Sequence, residues 1–597
     1  MSVFGIDLGT TNSCIAVLRN GKPEVLPADN PSGIVPSVVG LENGAFIVGT
    51  RARNRAGAFP EGTVSSVKRR MGTSDEITLD DGSQKTTCSP EEISAVILRY
   101  LAAEAKRLTG EDVRDVVITV PAYFSDGQRR ATMDAGRQAG LNVLRLLNEP
   151  TAAALFYGQI EESQASENLL VYDLGGGTFD GSVLRSGAIS EVLASTGDTH
   201  LGGDDFDARL VGLLLEGTGC SLEQVKACPA AWVRLALAAE KARIRLSSET
   251  YVHVREADIQ APDGGRFNVD REIERSELER LCQDLLSRTA DFMHQAVSEA
   301  HLERASIAKV LLVGGVTRMP AIKRVVQDVF GDAARPALDP DRAVACGAAI
   351  QGGIITGEQC DRILVDVTPH TLSVECLEGD SWRRSGRNGD MDMFDFLFNP
   401  SEHLICAPII PRNTQIPVTR AEQFWTMTTN QEKCSLRVFQ GESRKPSENT
   451  LLGEVDLILA KAPAGSPVIV EYTYTLDGIV RMRAEHKGYG RKVEITLDSR
   501  HPKGITADGS RTVVDVDAEP VRSEAEPQAE PEAKAAPVNF VTHRARQKLE
   551  ALPEGEAKKG LADLLAAYEQ ALADDADDVD DREDALMDKL DELDGAE

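Results

Sequence analysis

Phe4-Gly5-Ile6-Asp7-Leu8-Gly9-Thr10-Thr11 returns in outline as Val171-Tyr172-Asp173-Leu174-Gly175-Gly176-Gly177-Thr178. In each copy an apolar strand ends in aspartate and turns through glycine into a hydroxyl residue. Glycine lets backbone N–H groups come close to phosphate oxygens, and threonine adds a hydroxyl donor. Aspartate can hold a hydrated magnesium ion without crowding the phosphates, because magnesium keeps several of its waters. One such turn alone reads as an ordinary hairpin. The matched pair predicts two turns that face each other and hold a triphosphate tail between two lobes. No Gly-x-x-x-x-Gly-Lys-Ser/Thr sequence is present, which excludes a P-loop enzyme. Val313-Gly314-Gly315-Val316-Thr317-Arg318-Met319-Pro320 is a further turn that can approach a nucleotide, and is weak evidence taken alone.

Around these turns, residues 1–357 alternate short apolar strands with helical patterns and Gly-rich turns, as in an α/β domain. Asp361-Arg362-Ile363-Leu364-Val365-Asp366 follows, an apolar stretch with an acid at each end, inside a linker set at 358–368. Over 369–503 the period becomes two. Val468, Val470, Tyr472, Tyr474 and Leu476 share one face, and Asp477-Gly478 makes a hairpin turn before Ile479 to Ala484. This pattern predicts a β-sandwich. Residues 504–538, rich in Ala, Pro and Glu beyond 515, are expected to be a solvated linker. In 539–597, Leu561, Leu564, Leu565, Tyr568 and Leu572 fall at helical spacing, as do Leu586, Leu590 and Leu593, predicting two short amphipathic helices.

A chain of 597 residues is too long for a single core, which agrees with this division. The net charge of −30 disfavours nucleic acid or an anionic membrane as the main partner. From Ala507 onward there are 26 Asp and Glu against 10 Lys and Arg, so more than half of that charge sits in the tail. Apolar runs such as Val116 to Val120 are too short to cross a bilayer. Met1-Ser2-Val3-Phe4 enters a strand at once, without the basic segment of a signal peptide. Ten cysteines without a Cys-x-x-Cys pair suit a reducing cytoplasm and argue against structural zinc or a disulfide framework. Cys14, just past the first turn, reads as a buried inert thiol rather than a redox sensor.

Several blocks in order make the chain resemble the DnaK-type heat shock protein 70 chaperones over roughly residues 2–500. They are Gly5-Ile6-Asp7-Leu8-Gly9-Thr10-Thr11-Asn12-Ser13, Val120-Pro121-Ala122-Tyr123-Phe124, Asn148-Glu149-Pro150-Thr151-Ala152-Ala153-Ala154, Asp173 to Asp180, and Pro340 to Ala349. Tyr123-Phe124-Ser125-Asp126 and Pro408-Ile409-Ile410-Pro411-Arg412-Asn413-Thr414 make it most similar to the HscC-type bacterial branch.

The resemblance implies a multidomain chain. Its parts are an actin-like α/β ATPase domain (a duplicated ribonuclease H-like fold), a β-sandwich peptide-binding domain and a short α-helical C-terminus. It implies ATP or ADP with Mg2+, and K+ as a candidate companion ion. Thr10, Thr11 and Asn12 would cradle the β- and γ-phosphates, beside Gly9, Gly175, Gly176 and Gly177. Asp7, Asp173 and Glu149 would surround the hydrated magnesium. Lys68 would contact the γ-phosphate and the attacking water, and Thr178 the γ-phosphate. Glu240, Arg243, Ser247, Gly314, Gly315, Arg318 and Asp341 would line the adenosine pocket, although Glu240-Lys241-Ala242-Arg243 is also ordinary amphipathic-helix chemistry.

The same resemblance makes the 361–366 stretch an interdomain linker, with Arg362 where an apolar residue is usual. Arg145, Asn148, Thr151 and Asp366 match the surface that meets J-domain co-chaperones, and a nucleotide exchange factor is a second expected partner. Extended apolar polypeptides would lie against Val374, Cys376, Leu377, Phe424, Met427, Cys434 and Leu436. Leu377 and Met427 would arch over the peptide and Cys434 would floor the pocket. Residues 379–403, with Trp382, Phe394, Phe396, Leu397 and Phe398, read as an insertion near the peptide loops. The short C-terminal helices stand where a long lid is usual, so faster peptide exchange is expected. Two other classes remain open at this point. One is a regulatory relative that binds ATP but hardly hydrolyses it, acting as exchange factor or scaffold; the other is a small-molecule kinase on the same ATPase fold.

Overall fold

The computed structural model describes residues 2–28, 30–161, 166–187, 189–261, 263–336, 339–357, 363–377, 403–476, 478–500, 513–517, 545, 548–549, 556–574, 582, 585–586 and 589. Two compact units emerge, Met1–Ala518 and Glu519–Glu597.

The repeat seen in the sequence is a repeat of topology. In the first sheet, strand Phe4–Leu8 pairs antiparallel with Asn12–Arg19, which pairs antiparallel with Lys22–Val25. On its other side Phe4–Leu8 runs parallel to Asp115–Val120, and that strand parallel to Asn142–Asn148. The second sheet repeats this order. Glu167–Leu174 pairs antiparallel with Phe179–Ser186 and that strand with Ile189–Asp198, while on the other side Ile307–Val313 and Ala334–Pro336 run parallel. Asp7 and Asp173 thus occupy the same place, next to last in the central strand of each sheet.

Helices Glu149–Glu161 and Ala343–Thr356 lie between the sheets, sharing one apolar cluster with Val117, Leu147, Val171 and Leu311. Small residues make this approach possible. A Cβ on Gly347 would stand 1.8 Å from the Ala152 carbonyl oxygen, and one on Gly5 would stand 2.2 Å from the Ala349 nitrogen. Separate clusters fill the two lobes, one around Phe4, Ile6, Ile97 and Phe124, the other around Tyr172, Phe179, Phe206 and Leu235.

The β-rich part has two sheets. One runs in the order Leu404–Ile410, Leu372–Leu377, Lys433–Gln440, Thr450–Ile458; the other Val418–Trp425, Pro467–Tyr474, Val480–His486, Arg491–Thr496, Val513–Asp517. They share one core, with Val374, Leu436, Val438 and Leu457 from the first and Val470, Tyr472, Met482 and Ile495 from the second.

Two expectations change. Val468, Val470, Tyr472 and Tyr474 are buried as their alternation requires, but Leu476 lies past the strand end and is exposed. Val513–Asp517, placed in the solvated linker, instead extends the second sheet alongside Arg491–Thr496. Its Val-Val-Asp-Val-Asp pattern carries β-branched residues that suit a pleated surface. Apolar Ile363-Leu364-Val365, costly to leave in water and expected to dock in one state and be released in another, lies in a strand here. That strand, Ile363–Val367, runs parallel to Ile189–Asp198 on the edge of the second α/β sheet and antiparallel to Gln415–Ile416. Both α/β and β-rich parts consequently fall in one compact unit.

In the 477–478 turn, Gly478 takes a φ of 77° and donates to the Thr475 carbonyl; Asp477 lies outside the described residues. So do Arg362, residues 379–402 with Trp382 and the four apolar residues 394–398, and most of 504–538. In the second unit, helix Glu556–Asp574 buries Leu561, Leu565 and Tyr568 in a cluster with Ala545 and Leu586. Leu590 and Leu593 lie outside the described residues.

Candidate functional site

The twin turns face each other. A Cβ on Gly176 would stand 1.7 Å from Thr11 Oγ1, and one on Gly177 would stand 2.7 Å from Thr10 Cγ2. Only glycine lets the second turn come this close to the first. The Gly175–Thr178 loop is closed by a Gly175 N–H to Thr178 carbonyl bond of 3.1 Å. It is held from outside where the N–H groups of Gly203 and Asp204 donate to the carbonyls of Gly175 and Gly176 at 3.0 and 2.7 Å. Opposite, the Gly9 carbonyl accepts from Ser37 Oγ at 2.7 Å.

Below the turns lies a cluster of carboxylates. Lys68, buried, is ion-paired with Glu149, and its ammonium stands 5.6 Å from the centre of the Phe124 ring. Asp7 accepts from Thr119 Oγ1 at 3.3 Å. Burial, reinforced by the charge of Glu149, pushes Asp7 up to about 7, with Lys68 opposing. Asp173 is raised well above the ordinary carboxylate range by burial, then by Glu149 and Asp180. Asp180, opposite Asp173 in the strand register, is likewise pushed up to about 7 by burial and Glu149. Carboxylates this concentrated, with Lys68 as the cation set among them, are a donor set that favours a hard, hydrated divalent cation. Among the described residues no group of three or more His, Cys, Asp or Glu is set for direct ligation of a metal.

The expected adenosine residues fall on the flank toward the second lobe. Arg243 forms a bidentate pair with Asp207, at 2.7 and 3.0 Å. Gly203 lies directly beneath this pair, its hypothetical Cβ 3.1 Å from Arg243 Nη2. Glu240 is paired with Arg53 of helix Thr50–Arg55 at 2.5 Å. Gly314 packs on the Leu174 carbonyl, and Gly315 on Asp341, which pairs with Arg318 at 2.6 Å. Ser247 is more local: its hydroxyl donates to the Arg243 carbonyl at 3.3 Å. Asn12, at the start of its strand, is exposed.

Several residues at the site went unassigned in the sequence. Asp180 closes the Asp-Leu-Gly-Gly-Gly-Thr-Phe-Asp block, but its place beside Asp173 depends on strand pairing. Arg69, next to Lys68, reaches across the cleft to Asp205 at 2.6 Å. The signal that could have found its partners is Gly202-Gly203-Asp204-Asp205-Phe206-Asp207, a glycine pair opening an acidic helix turn.

A second constellation surrounds the linker strand. Asp366 is buried; it accepts from Asn148 Nδ2 at 2.8 Å and Thr151 Oγ1 at 3.4 Å, and Arg145 is near enough to lower its pKa against the dominant effect of burial. Arg129 holds Asn148 from the other side at 2.7 Å. Of the expected peptide-contact residues, Val374 and Leu436 are buried in the β-rich core, and Phe424 and Cys434 pack against it. Cys376 and Leu377 are half-buried, and Met427 is exposed beside the exposed Trp425.

The family description "Hsp70 protein" matches residues 3–393 and 402–596. The chain belongs to the Hsp70 family. Hsp70 proteins are ATP-dependent chaperones that generally bind ATP or ADP with Mg2+, and unfolded peptides and J-domain co-chaperones as partners. In this Hsp70 chain, no helix among the described residues is long and apolar enough to cross a membrane. The described cysteines are free thiols, and Cys14 is buried with its pKa raised by burial, as an inert thiol would be.

Proposed function

We propose that this Hsp70 chain hydrolyses ATP in its α/β part and uses the nucleotide state to control how its β-rich part holds extended apolar peptide segments. The observation that carries the reading is the close approach of Gly176 and Gly177 to Thr11 and Thr10 directly above the Lys68–Glu149–Asp7–Asp173 cluster. Backbone N–H groups of Gly9, Thr10, Thr11, Gly176 and Gly177 bind the phosphates, while the Gly175 N–H, donated to the Thr178 carbonyl, closes the turn. Asp7, Asp173 and Glu149 hold hydrated magnesium through its waters, and bound magnesium supplies neutralisation of phosphate charge. Lys68 orients the attacking water and meets the charge that develops on the γ-phosphate, with Thr178 donating to the same group. In phosphoryl transfer to water, such positioning and charge neutralisation account for most of the catalysis. Glu240, Arg243, Ser247, Gly314, Gly315, Arg318 and Asp341 frame the adenosine.

Coupling runs through Ile363–Val367. Its apolar residues add to the edge of the second ATPase sheet, and Asp366 ties that strand to Asn148 and Thr151, the strand end and helix start just before and after Glu149. A change at Glu149 therefore has a short covalent route to the linker. Of the four residues matched to a J-domain surface, Arg145 is half-buried and can meet such a partner, whereas Asn148, Thr151 and Asp366 are buried and hold the linker strand. Peptide binds against Cys376, Leu377, Phe424, Met427 and Cys434, while Val374 and Leu436, matched to the same site, are buried in the core of that part, and the exposed Trp425 and Met427 favour apolar guests. The cytoplasm and the HscC-like branch are the setting this reading assumes.

Single-turnover ATP hydrolysis, measured with and without an extended apolar peptide, tests the proposal. Stimulation by peptide is the expected result. Negligible turnover with intact ATP binding would point to the regulatory relative, and phosphorylation of a sugar to the kinase.

A further inference from the structure

Besides the linker strand, a second joint ties the β-rich part to the α/β part. Strand Arg491–Thr496 leads into Leu497, whose N–H donates to the Val480 carbonyl at 3.0 Å, so the chain is anchored in the second β sheet up to that point. The next residues, Asp498, Ser499 and Arg500, lie on helices Pro90–Thr109 and Asp126–Gln138 of the first ATPase lobe. Arg500 Nη2 pairs with Asp134 Oδ2 at 2.8 Å and with Asp498 Oδ2 at 3.0 Å, Nε donates to Asp498 Oδ1 at 3.1 Å, and Nη1 reaches Glu91 Oε1 at 3.7 Å. Gly127 permits the contact: a Cβ there would stand 2.5 Å from Ser499 Oγ. Alongside, buried Asp126 pairs with Arg130 at 2.8 Å and donates its backbone N–H to Gln440 Oε1 at 3.3 Å.

The charges of this joint are unbalanced in a telling way. The ATPase lobe contributes Glu91, Asp126 and Asp134 against Arg130, paired with Asp126, and Arg137, paired with Asp134 at 3.2 Å, and the β-rich part contributes Asp498 with Arg500. Without Arg500, Asp498 would face Glu91 and Asp134 with no cation of the β-rich part between them. The side chains of Arg500, Asp498 and Glu91 are only 19%, 11% and 10% exposed, so solvent screens them little, while Asp134 is 32% exposed. Removing Arg500 leaves Asp498 and Glu91 close together without the cation between them.

We propose that Arg500 is an electrostatic latch that holds the end of the β-rich part on the ATPase lobe, and that it sets how readily the two parts separate, independently of the Asp366 hub. This rests on the proposed nucleotide-controlled coupling only for its physiological use; the latch itself can be read without nucleotide.

Hydrogen exchange on the full chain, with and without ATP, at low and high salt, tests it. In R500E, amides of Asp126–Gln138 and Leu497–Arg500 should exchange roughly fivefold faster at low salt, the scale of coupling within one charge network. D134R should act in the same direction, and R500E/D134R should recover part of the protection. R500K should fall between R500E and the parent, because an ammonium cannot replace the planar fork. High salt should move the parent only part of the way toward R500E, because Arg500, Asp498 and Glu91 are largely shielded from solvent and only Asp134 is open to screening. Unchanged exchange in R500E, or a double variant more open than both single ones, would overturn the latch. If R500E does not fold, R500Q carries the same comparison, with D134N as its partner. Failure of the parent chain to bind ATP would remove the functional reading while leaving the nucleotide-free exchange difference to decide the latch.

Discussion

Lys68 shows what a single side chain does at this site. Its stem is buried beside Phe124 and its ammonium is paired with Glu149, among carboxylates whose pKa values burial has raised. On the proposed mechanism, a lysine fixed in this way would need no reorganisation when charge develops on the γ-phosphate. Lys68→Ala should therefore lower single-turnover hydrolysis by roughly 10²–10³-fold, the usual effect of removing one preorganised electrostatic donor, while ATP binding measured by calorimetry persists. Hydrolysis within a few-fold of the parent would remove Lys68 from the mechanism. The roles of Lys68 and Asp180 were unequally legible in the sequence. Lys68 entered through a resemblance, since Val-Lys-Arg has no distinguishing pattern. Asp180 stood in a quoted block without a role, because only the antiparallel register puts it across from Asp173.

At the scale of elements, the facing turns and the linker strand carry the argument. A methyl group on Gly176 would overlap Thr11 Oγ1, so Gly176→Ala must push the turns apart. Turnover should fall by roughly 10²-fold, as it does when reacting groups are misplaced by about an ångström, with little change in circular dichroism; retained turnover would show that the turns do not act as a clasp. The linker joint has its own pH dependence. His370, just after the linker strand, has a ring nitrogen 3.2 Å from the Tyr123 carbonyl and packs edge-on to the Tyr123 ring at 4.3 Å. Burial pushes its pKa down to about 4, and Arg412 and Arg129 add to that by repelling a charged ring, against the Tyr123 carbonyl. A base whose pKa is depressed in the folded state stabilises that state above its unfolded pKa, near 6.5, and this contribution fades as pH falls from there toward 4. Hydrogen exchange of the Ile363–Val367 amides, relative to their intrinsic rates, should accordingly rise between pH 7 and pH 5. His370→Gln, which keeps an N–H donor but cannot gain a proton, should flatten that rise; an identical pH profile would exclude His370 as its source.

At the scale of the molecule, the chain divides at Ala518 and not at the linker. A fragment ending there should keep the main calorimetric transition of the whole chain and its ATP affinity, because among the described residues its cores draw none from beyond that point. Loss of the transition in the fragment would show that the second unit is required for folding of the first. Much of this was readable from the sequence alone. The duplicated Asp-and-glycine turns, the change of period near 369, the acidic tail and the helical spacing of Leu561, Leu565 and Tyr568 are local patterns. Local patterns report local geometry. Tertiary structure decided what depends on neighbours far along the chain. It made 513–517 a strand where a solvated linker was expected, and it decided where 363–367 docks, because the backbone of each found an open sheet edge to pair with. It set Asp180 beside Asp173 and Arg69 across from Asp205. It brought Arg500 onto Asp134, a pairing of residues with no common motif and distant in sequence, which only the docking of two separately folded surfaces could reveal.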